Sequence, residues 1–269
     1  MLETDRLGPW RWLEAMPFAF FGSPLVAEGS LSRADMAHIL HVAGVGWLAI
    51  NLDPCDPLAK AENIPTGMTP VSTHILTLAG DFERVHAGFT KTVRYDVRRA
   101  EREGVTVRKG SGVGDFLACY NLAQSAARRW DMTESPFPRA LYEALAVMPS
   151  ERVSLWLAEY DGRLIGGLIN LFYTNDRVLH WSSALQPDYT HLNPTKLLQR
   201  EAIREACERG ATIYNLGPSA GFDGKVLDGV RQAKEALGAQ PYGYAIPILM
   251  NPWAMRARAL RDKVRRVLS

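Results

Sequence analysis

The feature of this chain that most limits its possible folds is a run of three apolar segments, 153–159, 164–173 and 178–184. Asp161-Gly162 separates the first two, and this pair between apolar runs is a strong signal for a β-hairpin turn. Thr174-Asn175-Asp176 separates the second from the third. The region therefore predicts a β-meander. A helix over 194–209, ended by Gly210, and a strand over 212–216 follow it, and this order is typical of a mixed sheet covered by helices.

The first part of the chain predicts a similar mixture of elements. Short strands are expected over 17–27, a helix capped by Ser32 over about 32–43, a strand over 47–52 and a loop over 53–70. Residues 73–78 alternate as a half-buried strand does, and Asp81 is predicted to cap one long helix that reaches about Glu103. A strand from Val105 and helices over 115–130 and 137–147 complete this part.

The order of elements in the first half loosely resembles that of the second, although no residue-level repeat is visible. We therefore predict an α/β (α+β) fold with tandem halves, in which mixed central sheets are flanked by helices. The predicted divisions are an N-terminal half over 1–103, a C-terminal catalytic half over 104–250, and a basic amphipathic helix over 251–269.

Composition narrows the class of protein. The 31 basic and 29 acidic residues give a net charge of +2, which by itself does not indicate a nucleic-acid-binding protein. Three cysteines at unrelated spacings indicate neither a disulfide framework nor a metal site. Acidic residues near the N-terminus argue against a signal peptide. The sequence also contains no stretch of about 18 apolar residues, the least that a membrane-spanning helix would need. We expect a cytoplasmic protein.

The strongest candidate for catalysis is Lys234. It lies on a predicted helix that a glycine-rich loop joins to the strand ending in Tyr214-Asn215. A lysine ammonium held beside a strand end could stabilise the negative charge that develops on a carbonyl oxygen. The alternative is a solvated helix lysine. Arg231, three residues earlier, could bind a phosphate or carboxylate, or be an exposed structural arginine.

Tyr214 and Asn215 could bind the acceptor through a hydroxyl and an amide, although a core tyrosine is an equal alternative for Tyr214. Asn215 cannot act as a general base, because a neutral amide does not accept a proton at ordinary pH. His180, with Trp181 and Ser182 beside it, lies on a predicted strand and could take a proton from the amine, as could His191. A histidine in a strand is more often structural.

Two further pairs are candidates for substrate binding. Asn193 and Pro194 have the residue types of a helix start, and Lys196 in the first turn suggests that an anion binds there. Arg129 and Trp130 place a planar cation beside an indole, which suits a ligand ring or a carboxylate. The alternative for Trp130 is a side chain that seals the core.

Two segments are strongly basic. Residues 91–109 carry seven basic and three acidic residues, and residues 253–269 carry six and one. The second segment also places apolar residues on one helical face. Such a helix could dock on the core with a solvated basic face, lie on an anionic membrane, or bind the backbone of a tRNA.

Several of these segments together resemble a known family. Residues 155–167, with a strand, the Asp-Gly turn and a second strand, resemble the GNAT acyltransferase superfamily. Residues 93–104, 127–130, 214–217 and 229–238, the last containing Lys234, look more narrowly like the Fem-type transferases and their acetyltransferase-like relatives. The resemblance spans roughly residues 17–245.

The resemblance implies tandem GNAT-like halves and an enzyme that moves an acyl or aminoacyl group from a carrier to an amine, forming an amide without a covalent enzyme intermediate. In Fem-type members the donor is an aminoacyl-tRNA and the acceptor a peptide of a cell-wall precursor; in the wider group the donor is an acyl-CoA. Either donor is a cosubstrate, so no tightly bound cofactor or metal is expected. The acceptor is a small-molecule or peptide amine.

The chain departs from these patterns in two places. GNAT enzymes bind the CoA pyrophosphate with glycine-rich backbone after the fourth strand, but here residues 186–196 contain no glycine. Fem-type strands commonly end in Tyr-Asp or Phe-Asp, where this chain has Tyr214-Asn215. A hypothesis of another class is a catalytically inactive scaffold that uses its basic helices to bind tRNA or an anionic membrane.

Overall fold

The computed structural model describes residues 2–15, 20–21, 44–55, 59, 68–78, 80–129, 135, 137–219 and 227–268. Its strands are β1 (Leu2–Leu7), β2 (Trp10–Ala15), β3 (Val45–Ile50), β4 (Met68–Thr77), β5 (Thr106–Gly110), β6 (Val153–Tyr160), β7 (Arg163–Phe172), β8 (Arg177–Leu185), β9 (Ile213–Asn215) and β10 (Gln240–Met250). Its α-helices are α1 (Phe82–Ala87), α2 (Lys91–Arg102), α3 (Gly112–Arg129), α4 (Arg139–Ala146), α5 (Pro194–Glu208), α6 (Asp228–Glu235) and α7 (Pro252–Leu268), and a 3-10 helix spans Pro187–Leu192. The helix predicted over 32–43 and nearly all of 17–27 lie outside the described residues.

The chain forms two compact units, one of residues 1–72 with 242–269 and the other of residues 73–241. These boundaries differ from the divisions predicted at 103/104 and 250/251. The end of β10 pairs with β3, so the chain returns to the first unit before its last helix begins. The predicted fold class, a mixed α/β structure with two sheets flanked by helices, is confirmed.

The first unit is built on a small sheet with one helix packed on it. β1 and β2 form an antiparallel hairpin around Gly8, β3 runs parallel to β2, and the end of β10 is antiparallel to β3. Helix α7 approaches the sheet closely at Gly46, where an added β-carbon would lie 3.0 Å from the Ala254 Cβ. Ala254 is fully buried. The glycine and the alanine therefore allow the helix to lie directly on the strands.

The second unit contains the predicted β-meander. Its strand order is β4-β9-β8-β7-β6-β5, and the neighbouring strands are antiparallel except for β8 and β9, which are parallel. The turn between β6 and β7 lies at Asp161 and Gly162, both with positive φ, as an Asp-Gly hairpin requires. The meander and the strand and helix after it are confirmed.

Helices cover both faces of this second sheet. Two adjacent glycines of β7 point to opposite faces: a β-carbon at Gly166 would lie 3.1 Å from Leu198 on α5, and one at Gly167 would lie 2.8 Å from the Cys119 Sγ on α3. Helix α5 packs beside α2, which buries Val93, Val97 and Ala100 along one face. The sheet is therefore the central layer of three.

The long helix predicted from Asp81 to about Glu103 is wrong in one respect. Asp81 does cap a helix, and its carboxylate accepts a hydrogen bond from the Glu83 N–H at 2.9 Å. That helix ends at Ala87, and Thr90 caps a second one through the Val93 N–H. Gly88 lies between them, where glycine's low helix propensity and a second N-cap residue together favour a break.

A buried carboxylate on α5 joins the helix to the sheet. The Glu205 side chain is 7% exposed and accepts hydrogen bonds from Ser154 Oγ at 2.5 Å and from Trp156 Nε1 at 2.7 Å. It also forms ion pairs with Lys109 and, at 2.5 Å, with Arg209. Burial would raise the pKa of Glu205, but the hydrogen bonds and the Lys109 charge outweigh it and hold that pKa below its usual value.

Candidate functional site

The main irregularity of the second sheet is the separation of β8 from β9. The two parallel strands pair only from Arg177 with Ile213 to Leu179 with Asn215, whereas β8 continues to Leu185. From residue 180 onward, β8 therefore has no β9 partner within the described residues. Two parallel strands that separate leave backbone groups unpaired on their facing sides, and these groups are available to an extended ligand.

A β-bulge lies where the strands separate. In the pairing with β7, His180 is opposite Asn170 and Ser182 is opposite Ile169, which leaves Trp181 as the extra residue. A bulge changes the direction of a strand and is frequent beside active sites. The Trp181 side chain is 6% exposed and packs on Phe137 and Tyr142, so it anchors the bulge in the core, while Ser182 is only partly buried.

The chain beyond β9 turns away from β8 and stays with β4. Asn215, fully buried, fixes this turn: its Oδ1 accepts hydrogen bonds from Thr73 Oγ1 at 2.5 Å and from the Gly217 N–H at 2.8 Å. His74 continues the ladder, donating its N–H to the Gly217 carbonyl and accepting from the Leu216 N–H. Gly217 has φ +77, a backbone conformation that favours glycine. Asn215 therefore shapes the strand end.

Lys234 reaches this turn from α6. Its ammonium donates hydrogen bonds to the Gly217 carbonyl at 2.9 Å and to the Pro218 carbonyl at 2.6 Å. A β-carbon at Gly217 would lie 4.0 Å from both Lys234 Nζ and the His180 carbonyl oxygen, so the lysine and the bulged part of β8 both lie close to the side of this glycine that has no side chain. Burial lowers the pKa of Lys234 to about 8, which leaves it largely charged at pH 7.

Three polar side chains lie on neighbouring strands beside Lys234. Tyr214, fully buried, donates its hydroxyl to Asn170 Oδ1 at 2.8 Å, and its ring makes an edge contact with His180. Burial raises the pKa of Tyr214, so its hydroxyl stays protonated. Burial, with the Lys234 charge, lowers the pKa of His180 to about 3. His180 is thus a neutral hydrogen-bonding group and too weak a base to hold a proton at pH 7.

Two buried polar atoms of this group, Asn170 Nδ2 and His180 Nδ1, have no hydrogen-bond partner within the described residues. Buried polar atoms in native proteins are almost always hydrogen-bonded to protein, water or ligand. Because the two atoms lie next to the strand separation, Asn170 and His180 are candidates for contact with a substrate. Sequence reasoning did not identify Asn170, although a single amide within the apolar segment 164–173 is a signal that could have identified it.

His74 and Ser219 were also missed. His74 is 2% exposed, its Nδ1 lies 3.0 Å from Ser219 Oγ, and its Nε2 lies 3.9 Å from a Glu235 carboxylate oxygen. Burial, with Lys234 and Arg231 nearby, lowers the pKa of His74 despite Glu235. With its two backbone hydrogen bonds, His74 holds residues 216–219 at three points. It positions the carbonyls that Lys234 contacts.

The other predicted binding residues lie apart from this arrangement or are already paired. Arg231 forms ion pairs with Asp228 at 2.9 Å and Glu235 at 3.2 Å, on the surface of α6. Arg129 is the last residue of α3, and Trp130 lies outside the described residues. His191 is exposed on the 3-10 helix.

The connection from β8 to α5 contains Asn193 and Lys196. Asn193 adopts a left-handed conformation with φ 55 and forms no side-chain cap hydrogen bond. The N–H groups of Tyr189, Asn193 and Lys196 donate to carbonyls of the same segment. Burial lowers the pKa of the Lys196 amine despite the nearby Asp96 charge. The segment therefore offers a lysine but few free amides to an anion.

Cysteine side chains and metal-ligating side chains can support other kinds of catalysis. Burial raises the pKa of Cys119 to about 12, so that cysteine is a protonated thiol and a poor nucleophile. The described residues contain no group of three or more histidine, cysteine or acidic side chains placed to hold a metal ion. Nor does any described helix combine the length and the apolar character needed to cross a bilayer.

The low pKa of His180 predicts a loss of stability in mild acid. The unfolded chain takes up this proton below about pH 6.5, whereas the folded chain resists until about pH 3, so stability falls as the pH drops below 6.5. At about pH 5.5 the loss is roughly 1.4 kcal/mol relative to pH 7.5. We expect His180→Asn to reduce the difference in melting temperature between these two pH values.

The control for this measurement is His191→Asn, which changes an exposed histidine. It should leave the acid sensitivity as it is in the wild type. His74 and His86, whose pKa values burial also lowers, keep part of the acid sensitivity in both variants. An unchanged pH difference in His180→Asn would contradict a His180 that stays neutral in the folded protein.

Comparison with known proteins places this architecture in a family. Residues 87–225, just over half of the chain, match the family described as acetyltransferase (GNAT) domain. No curated protein matches the sequence significantly. The match covers α2 to β9 and so includes the meander and the strand separation.

Solved structures share the fold at low sequence identity. FemX aligns with a TM-score of 0.64 and 13% identity over 82% of this chain and 77% of its own. The C-terminal domain of a protein named as a lysylphosphatidylglycerol synthetase, from Agrobacterium fabrum, aligns with a TM-score of 0.57 and 15% identity over 86% of this chain and 77% of its own. L-PGS from Bacillus licheniformis aligns with a TM-score of 0.51 and 15% identity over 79% of this chain and 71% of its own. The predicted Fem-like GNAT fold is confirmed, and the chain belongs to the GNAT acetyltransferase-domain family.

Proposed function

We propose that this protein is an N-acyltransferase that forms an amide where β8 separates from β9. The observation that carries the proposal is the position of the Lys234 ammonium beside Gly217, with the His180 carbonyl of the bulged strand β8 close to the same glycine. An ammonium has three N–H donors, and the carbonyls of Gly217 and Pro218 occupy two. The third has no partner among the described residues and can bind an oxyanion.

The reaction would proceed by direct attack. The neutral nitrogen of the acceptor attacks the carbonyl carbon of the activated acyl group, and negative charge develops on the carbonyl oxygen, which the Lys234 N–H stabilises. The bond from that carbon to the carrier oxygen or sulfur then breaks, and the amide remains. The proton lost by the nitrogen leaves with the carrier. His180 and Asn170 would orient the substrate without exchanging protons with it.

For the donor, the segment between β8 and α5 supports an aminoacyl-tRNA over an acyl-CoA. A pyrophosphate needs several free backbone N–H groups. Here a 3-10 helix fills the connection, and Pro194 at the start of α5 has no N–H. The N–H groups of Tyr189, Asn193 and Lys196 donate to carbonyls within the segment 186–196. The structural neighbours are in keeping with this: one is named FemX, and another name refers to a lipid that bears a lysyl group.

Comparing donors by thermal shift tests this choice. An aminoacyl-tRNA at a hundredfold excess over its dissociation constant should stabilise the protein by about 2.7 kcal/mol, and acetyl-CoA or longer acyl-CoAs should have no effect. Uncharged tRNA is the control for binding of the nucleic acid alone. Transfer of a labelled aminoacyl group to a small or peptide amine is the accompanying readout. A shift with acyl-CoA and none with aminoacyl-tRNA would contradict the assignment of the donor.

A further inference from the structure

Helix α7 presents two chemically different faces. The inner face packs on the first sheet through Ala254 and through Arg258, whose guanidinium lies 4.9 Å from the centre of the Trp12 ring. Arg261 pairs with Asp5 at 2.8 Å and with Asp262 at 3.1 Å. The acidic residue of α7 is therefore used within the unit, in ion pairs with arginines.

The outer face carries large apolar side chains in contact with solvent. Trp253 is 68% exposed, Leu260 65% and Val264 49%. At 100° per residue, positions 253, 260 and 264 fall within about 40° of one another around the helix and extend over about 16 Å. They line one side of the helix as an apolar stripe, and exposed apolar patches on protein surfaces commonly mark interaction sites.

Cations flank this stripe. Arg256 and Lys263 are exposed and lie next to each other around the helix, on the side away from the sheet. The Arg256 guanidinium lies 5.3 Å from the centre of the Trp253 ring. No carboxylate occupies this outer face within 252–264, because Asp262 points toward Arg258 and Arg261. The face therefore combines an apolar stripe with unopposed positive charge.

We propose that the outer face of α7 binds the surface of an anionic lipid bilayer. A tryptophan, a leucine and a valine in one stripe with flanking basic residues is the arrangement by which a helix lies in the headgroup region, its apolar side chains inserted and its cations beside lipid phosphates. A nucleic-acid backbone would use the cations and leave the apolar stripe in water. A protein partner could cover the apolar stripe without needing the basic residues beside it. This surface is independent of Lys234 and of the donor.

Vesicle co-sedimentation of the full chain tests this proposal. We expect binding to vesicles of equal parts phosphatidylcholine and phosphatidylglycerol, weak binding to pure phosphatidylcholine, and loss of binding in high salt. Trp253→Ser with Leu260→Ser should lower the partition coefficient at least about tenfold. Arg256→Gln with Lys263→Gln should also lower it roughly tenfold, on the anionic vesicles only.

Matched controls lie on the second unit. Val147→Ser changes the most exposed large apolar side chain, at 76%, and Lys91→Gln changes an exposed lysine; both should bind vesicles as the wild type does. Equal binding by the α7 variants and the wild type overturns the proposal. A wild-type protein that does not bind the anionic vesicles also overturns it. In that case, α7 variants that reduce tRNA binding or self-association would assign the face to one of those partners instead.

Discussion

Lys234→Met should lower the rate constant of amide formation about 100-fold or more, because loss of one oxyanion donor typically costs this much. Methionine keeps the length and apolar character of the lysine stem and removes the charge. The effect should appear in kcat more than in KM, since the ammonium would interact with the oxyanion more strongly than with the neutral carbonyl of the donor. Single-turnover transfer with the donor identified by thermal shift measures this rate.

The matched control is Lys91→Met, which removes an exposed lysine from α2 and should leave the rate unchanged. Lys234→Met also loses two hydrogen bonds to backbone carbonyls, so its melting temperature should be measured alongside. Lys234→Arg can keep those contacts and the charge, and it should retain more activity than the methionine variant. A folded Lys234→Met protein with an unchanged rate would contradict the assignment of this lysine.

Glu205→Ala should destabilise the protein by about 3 kcal/mol, since breaking a buried ion pair leaves its former partners without compensation. The Ser154 hydroxyl and the Trp156 N–H lose their acceptor, and Arg209 and Lys109 lose their counter-charge. The Lys109 side chain is 45% exposed, so it can turn toward water, which keeps the loss at the lower end of the range for such pairs. The melting temperature should fall by roughly 10 °C.

Glu208→Ala is the control, because Glu208 lies on the same helix and is exposed. That change should alter the free energy of unfolding by no more than about 0.5 kcal/mol. Glu205→Gln, which keeps the shape and an acceptor oxygen, should fall between the two. Equal stability of Glu205→Ala and Glu208→Ala in urea unfolding would show that the buried carboxylate does not join α5 to the sheet.

The sequence predicts the second unit well because its local signals agree with one another. Asp161-Gly162 determines a hairpin, apolar runs determine the flanking strands, and Gly210 ends α5 close to the predicted residue. The first unit is less predictable. The edge strand β1 and its neighbour β2 both carry charged residues, and β10 contains Pro241 and Pro247, which argue against a strand on sequence grounds. Pairing with neighbouring strands overrides these local preferences.

The candidate site could be predicted only in part. The sequence placed Lys234 near the end of the strand that contains Tyr214, and the structure brings these two segments together. It could not reveal that the pair of Asn170 and His180 lies beside them, because strand register determines that contact. Nor could it reveal His74, which acts on residues 216–219 from a strand more than a hundred residues earlier. Such contacts depend on tertiary packing.

The pH dependence of single-turnover transfer tests the role of the Lys234 ammonium most directly. With its pKa at about 8, the ammonium is lost above that pH, so the wild-type rate should fall as the pH rises through about 8. Lys234→Arg stays charged over this range, so its rate should show no fall there. A wild-type rate that keeps rising through pH 8 and beyond would contradict the proposal that a charged Lys234 stabilises the oxyanion.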